Sequence, residues 1–143
     1  MISVQTADFN PGEELEKLRM RCSGSAGAIV SFCGLVRDLN EGDEVSCLTL
    51  EHYPGMTEKV LTEIATSARQ RWDLEETVII HRTGPLSPND RIVFVAAASA
   101  HRKAAFRACE FIIDTLKTNA PFWKKENTGN GTRWLSPAKQ TPA

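Results

Sequence analysis

Two β-rich stretches, residues 77–82 and 91–98, flank the turn cluster Gly84-Pro85-Leu86-Ser87-Pro88-Asn89-Asp90. This arrangement constrains the fold more than any other feature. β-Branched and aromatic residues on both sides of a Gly/Pro/Asn/Asp turn read as two neighbouring strands, and so short a connection favours antiparallel pairing. A helical period begins directly after the second strand. From Ser99 or Ala100 to about Thr118 it places Ala105, Phe106, Cys109, Ile112, Ile113 and Leu116 on one predicted apolar face, until Pro121 prevents a regular continuation. A chain with this centre builds a sheet covered by helix.

The flanking segments extend the pattern. Residues 2–6 read as a short strand, and Asn10-Pro11-Gly12 opens a helix to about Arg21 with Leu15 and Leu18 inward. Residues 27–37 read as a strand, 38–43 as a polar loop, and 45–53 as the returning strand before the Pro54-Gly55 turn. Residues 57–72 carry helical spacing at Val60, Leu61, Ile64, Ala68 and Trp72, with Thr57 as expected N-cap. The order βαββαββα makes the fold class α+β. One catalytic domain is expected over residues 1–126. Residues 127–143, with Gly129, Gly131, Pro137 and Pro142, are expected to form an irregular arm anchored by Trp134 and Leu135.

Composition excludes several classes. At 143 residues and 41% hydrophobic, the chain is long enough to bury a core without staples. Its net charge of −1 argues against bulk nucleic-acid binding. The charge is uneven, however. Residues 8–51 hold nine acidic against four basic side chains, whereas residues 101–125 hold six basic against Glu110 and Asp114. A local cationic site for a small anion fits this distribution. No signal peptide and no apolar run of spanning length is read, so no membrane is expected. Cys22, Cys33, Cys47 and Cys109 form no Cys-x-x-Cys pair, which points to a reduced, cytoplasmic setting. No histidine has a partner at metal-ligand spacing, so no metal is expected.

Three segments could carry chemistry. In Lys117-Thr118-Asn119-Ala120-Pro121-Phe122-Trp123-Lys124-Lys125-Glu126 a helix ends on a lysine, a proline redirects the chain, and an aromatic pair brings two more lysines. Solvated lysines favoured by the helix dipole would explain this, as would a lysine pocket walled by aromatics, where desolvation makes an amine usable as a base. Ser99-Ala100-His101-Arg102 lies at a strand-to-helix junction, where free N–H groups attract anions, although a first turn with no role looks the same. On a helical wheel Arg102 falls in line with Phe106, Cys109 and Ile113, on the expected apolar side. Arg37 ends an apolar strand and could be an ordinary edge charge. His52 and His81 read as packing residues. Cys33 and Cys47 read as strand core and Cys109 as helix core, each a small hydrophobe.

Taken together, five segments resemble the large, catalytic subunit of molybdopterin synthase. They are Phe32-Cys33-Gly34-Leu35-Val36-Arg37, Leu48-Thr49-Leu50-Glu51-His52-Tyr53-Pro54-Gly55-Met56, Ile80-His81-Arg82-Thr83-Gly84, Ser99-Ala100-His101-Arg102, and Lys117 through Glu126. They stand in the family's order over most of the chain. The resemblance implies a hammerhead-like α/β portion with a smaller antiparallel β subdomain. It implies a sulfurtransferase of molybdenum cofactor biosynthesis that converts cyclic pyranopterin monophosphate to molybdopterin. The two dithiolene sulfurs would come from the C-terminal thiocarboxylate of a small ubiquitin-like subunit ending in Gly-Gly. The implied assembly is a homodimer at the centre of a heterotetramer, with no cofactor.

Carried onto this sequence, the resemblance makes Lys117 and Lys124 the active-site lysines. Arg37, His101 and Arg102 match substrate-binding positions. Leu35, Val36, Lys125 and Glu126 lie in the same matching stretches, and Phe32 is the expected pocket wall. Asn119 departs from a position where a basic residue is common. A further basic contact from the tail rests only on Arg133 or Lys139.

Arg102 and Lys117 lie fifteen residues apart on one predicted helix, about 22 Å along its axis. The expected pocket therefore straddles a homodimer interface, with His101 and Arg102 of one chain facing Lys117 and Lys124 of the other. A persulfide sulfurtransferase working through one cysteine, and a non-catalytic anion-binding scaffold, remain as alternatives.

Overall fold

The structure is a computed structural model. It describes the backbone of residues 1–40, 43–128 and 131–134, and side chains over 1–38, 47–124 and at 131. Among the described residues the order is β1 (Ile2–Gln5), α1 (Pro11–Arg21), β2 (Ala28–Leu35), β3 (Leu39–Asn40), β4 (Asp43–His52), α2 (Met56–Arg71), β5 (Glu76–Arg82), β6 (Gly84–Leu86), β7 (Arg91–Ser99), α3 (Arg102–Asn119), β8 (Phe122–Thr128) and β9 (Gly131–Trp134).

The β5 and β7 stretches pair antiparallel as expected, from Glu76↔Ala98 to His81↔Val93. They form the centre of a sheet ordered β1-β5-β7-β2, with β1 parallel to β5 and β2 antiparallel to β7. Strand alternation gives each face its own core. Val78, Ile80, Phe94, Ala96 and Ala98 pack with Phe9 and Leu18 on the α1 side. Ile79, Val93, Val95 and Ala97 pack on the other side, against Leu61, Ile64 and Ala68 of α2 and Cys109, Ile112, Ile113 and Leu116 of α3. The result is an α+β fold in three layers.

A second sheet, ordered β3-β4-β8-β9 with β6 added beside β4, joins the same core through Leu48, Leu50 and Leu86. Strand β4 is therefore not the returning partner of β2. It pairs antiparallel with β8 and β6, and within the stretch read as a polar loop Leu39 and Asn40 pair antiparallel with Glu44 and Asp43 at the edge of the second sheet. Of the expected irregular arm over 127–143, the described residues 127–128 and 131–134 are strand. Backbone pairing carries β8 through Thr128, and β9 returns beside it with Lys125↔Trp134. Leu135 and Lys139 lie outside the described residues.

Local chemistry sets the helix ends. Asn10 caps α1 by accepting the Glu13 N–H at 3.2 Å. The N-cap of α2 is Gly55, not Thr57, at φ 85°, a conformation glycine adopts without strain. The Glu58 carboxylate accepts the Gly55 N–H at 3.0 Å. Thr57 is fully buried and ties segments together: its hydroxyl accepts the Tyr53 N–H and donates to the Pro121 carbonyl, both at 3.1 Å.

Two expected core residues are exposed. Phe106 is 62% exposed and Ala108 takes its place in the buried stripe of α3, so Arg102, in line with Phe106, is exposed as well. Cys33 is exposed because β2 is the edge strand and α1 covers only Ile29 of its outer face.

Candidate active site

Strand β7 passes into α3 through Ala100 and His101, and the helix folds back over the sheet. Cys109, midway along α3, lies with its thiol 3.8 Å from the Val95 carbonyl, midway along β7. The start of α3 therefore sits at the sheet end where β2 begins, and its last turn sits where β2 finishes. Gly27 allows the first junction. Its N–H donates to the Ser99 carbonyl at 2.9 Å, and a Cβ there would stand 2.2 Å from the Ala100 carbonyl oxygen.

At this first end, His101 is the N-cap residue of α3 and Arg102 its first residue, both exposed. With Gly27, Ala100 and Lys103 they line an open depression of about 510 Å³. The first turn of α3 carries no acidic residue, so its free N–H groups and cationic side chains act in the same sense on an anion.

At the other end, Phe32, Cys33, Leu35, Val36 and Arg37 line an open cleft of about 700 Å³ with Asp38, Pro88 and Asn89. Phe32 is half-buried against the core, Val36 is buried, and Leu35 and Arg37 are exposed. Val36 is held at both backbone groups, donating to Asp90 at 3.0 Å and accepting from Asn89 at 2.8 Å. This fixes the backbone on which Arg37 is mounted.

Lys117 occupies the last turn of α3 and is half-buried. The helix ends where the Ala120 N–H reaches the Leu116 carbonyl, and Pro121 turns the chain into β8. Lys124 follows on β8 opposite Leu50 and is only 5% exposed. Lys125 and Glu126 take backbone register opposite Thr49 and Leu48. Within one chain the structure thus groups Phe32, Leu35, Val36 and Arg37, and separately His101 with Arg102. Lys117 and Lys124 lie on either side of the α3–β8 turn, with the length of α3 between Arg102 and Lys117.

Sequence reasoning set His52 and His81 aside as packing residues. The structure places them beside Lys124. Cross-strand pairs share a sheet face, so Leu50, His52, Phe122 and Lys124 lie on one face of the second sheet. His81, 1% exposed at the end of β5, stacks on Phe122 with ring centroids 3.9 Å apart and planes at 19°. Burial lowers its pKa from 6.5 to about 4, against the Arg82 carbonyl hydrogen bond that raises it, and the nearby charges of Lys124 and His52 lower it further. Its Nδ1 lies 2.9 Å from the Arg82 carbonyl oxygen. A carbonyl only accepts, so Nδ1 carries the proton and Nε2 keeps a lone pair. No local spacing could reveal this cluster, because its members come from three distant strands.

Three of the thiols are held away from the thiolate form. Burial pushes Cys22 and Cys33 up, and Cys109 up to about 11, the reverse of the electropositive setting that makes a thiolate. Among the described residues no group of three or more His, Cys, Asp or Glu side chains could hold a metal ion. No helix there is long and apolar enough to cross a membrane.

The fold is shared with solved proteins of molybdopterin biosynthesis. The MoaE protein from Burkholderia ambifaria superposes with a TM-score of 0.83 at 50% identity, over 94% of this chain and 88% of that one. Molybdopterin synthase from Staphylococcus aureus does so with a TM-score of 0.84 at 33% identity, over 93% and 95%. The molybdopterin synthase catalytic subunit of Pseudomonas aeruginosa is 58% identical over 134 residues, 94% of this chain and 89% of the relative. The family model described as MoaE protein matches residues 4–119. The chain belongs to the MoaE family.

Proposed function

We propose that this chain is the catalytic subunit of a molybdopterin synthase. It acts in molybdenum cofactor biosynthesis, adding two dithiolene sulfurs to cyclic pyranopterin monophosphate in the cytoplasm. The reading is carried by one observation: the chain matches relatives named for that subunit over 94% of its length. The sulfur arrives as the C-terminal thiocarboxylate of a small ubiquitin-like partner, whose Gly-Gly tail enters the site, and no cysteine of this chain takes part.

Each residue type has a task in this chemistry. Arg37, His101 and Arg102 hold phosphate and pterin oxygens through charge-assisted hydrogen bonds. Lys117, half-buried beside the turn, serves as general acid and base while sulfur replaces oxygen. Lys124 orients the substrate and stabilises developing negative charge, an effect strengthened by its low exposure. Leu35, Val36 and Phe32 supply apolar wall, and Lys125 and Glu126 extend the site along β8.

The length of α3 supports a site shared between two chains, with His101 and Arg102 of one protomer facing Lys117 and Lys124 of its partner. Two such protomers form the centre of a heterotetramer.

The test is turnover of the cyclic pterin by the purified chain with thiocarboxylated small subunit. Dithiolene product from the parent, and near-loss in a folded Lys117→Ala variant, is the expected result. A folded, partner-binding parent that yields no product refutes the assignment. Mixing inactive Arg102→Ala and Lys117→Ala protomers tests the sharing. Activity should return on mixing, because one intact site forms per mixed dimer, and no recovery in verified mixed dimers refutes the shared site.

A further inference from the structure

His81 is fully buried at the junction of the two sheets, and the reaction outlined above gives it no task. Its backbone belongs to the first sheet, paired with Val4 on β1 and Val93 on β7. Its ring, however, meets the second sheet face to face at Phe122. Phe122 is the first residue of β8, and Lys124, two residues on, projects from the same face about 7 Å away. The pose of the imidazole is set twice, by the Nδ1–H donated to the Arg82 carbonyl and by the stack itself.

We propose that His81 is a positioning residue for Lys124, acting through the stacked ring of Phe122. The proposal rests on the reading of Lys124 as a residue of the active site. The start of β8, where Lys124 lies, pairs with β4 from His52 to Leu50 and is tied to Thr57 through the Pro121 carbonyl, contacts that belong to the second sheet and α2. The stack registers that end against the rigid, four-stranded first sheet. Histidine suits the place because it is flat enough to stack and polar enough to anchor itself on a neighbouring carbonyl. It is also uncharged at neutral pH, so it adds no positive charge beside Lys124 and His52.

The experiment is a set of variant cycles in the two-subunit turnover assay, reading kcat and KM for the pterin separately on protein shown to be folded. His81→Ala and Phe122→Ala should each lower kcat about ten- to a hundredfold, the scale expected when a catalytic group is displaced by an ångström. KM should stay within about twofold. His81→Phe, which keeps a ring for the stack, should recover most of the loss. In a Lys124→Ala background, adding His81→Ala or Phe122→Ala should cost nothing further, because a residue that acts only through Lys124 has nothing left to position.

Phe122→Ala is half-exposed and keeps the test alive if His81→Ala fails to fold. Folded Phe122→Ala and His81→Ala turning over at the parent rate, or losses that simply add to that of Lys124→Ala, overturn the proposal. Parent-like turnover by Lys124→Ala alone overturns the reading of Lys124, and the proposal with it.

Discussion

Acidification from pH 7.5 to 5.0 should destabilise the fold through His81. Its folded pKa of about 4 lies below the ordinary 6.5 because the ring is buried. Between these values the unfolded chain binds the proton and the folded chain does not. The stability this group contributes is therefore fully present above pH 6.5 and is lost as pH falls, levelling off below pH 4. The whole displacement corresponds to about 3.4 kcal/mol at 1.36 kcal/mol per pK unit. At pH 5.0 the unfolded imidazole is almost fully charged and the folded one almost fully neutral, so about 2 kcal/mol has gone. That is a large share of the roughly 5–15 kcal/mol by which domains are stable.

Urea unfolding of the parent and of His81→Phe, at fixed protein concentration and at pH 7.5, 6.5, 5.5 and 5.0, reads this directly. The variant lacks the Nδ1–H bond to Arg82, which shifts its stability equally at every pH. Exposed carboxylates titrate alike in both proteins. What distinguishes them is the slope. The parent should lose about 2 kcal/mol more than the variant over this range, roughly 1 M in urea midpoint. Equal slopes would refute the reasoning, since they would mean that the imidazole takes up its proton in the folded state as easily as in water.

Three further outcomes are expected. Gly27→Ala should cost about 3 kcal/mol in thermal or urea unfolding, because its Cβ would stand 2.2 Å from the Ala100 carbonyl oxygen, and backbone cannot yield as a side chain can. Thr57→Val should lose about 1–3 kcal/mol, since the buried hydroxyl both accepts the Tyr53 N–H and donates to Pro121; hydrogen exchange at Tyr53 should quicken. Single Cys→Ser changes at Cys22, Cys33, Cys47 and Cys109 should each leave turnover within about twofold, with a stability loss at buried Cys109 alone; abolished turnover in a folded variant would favour a persulfide carrier.

Much of the fold was determined by local pattern. The apolar runs Val78–Ile80 and Ile92–Ala98 mark two strands, and the short turn between them favours antiparallel pairing. Proline at 121 ends α3, and the fifteen positions from Arg102 to Lys117 on one helix already separate two groups of cations. These follow from bond geometry and side-chain period, which act within a few residues and are visible in any window of the chain.

Partners across the fold were decided only by the tertiary structure. Period shows which face of a strand is apolar, not which strand lies beside it, so β4 was read as returning to β2 when it pairs with β8. The helical wheel put Phe106 and Arg102 on the apolar side, but burial depends on what covers the surface, and the sheet beneath α3 leaves that side open. Cys33 has the pattern of a core residue for the same reason, but its strand is an edge. His81 is the plainest case. Forty-three residues separate it from Lys124, and what brings them together is the meeting of two sheets. The desolvation that holds its pKa low is a property of that junction, which no stretch of sequence around the histidine contains.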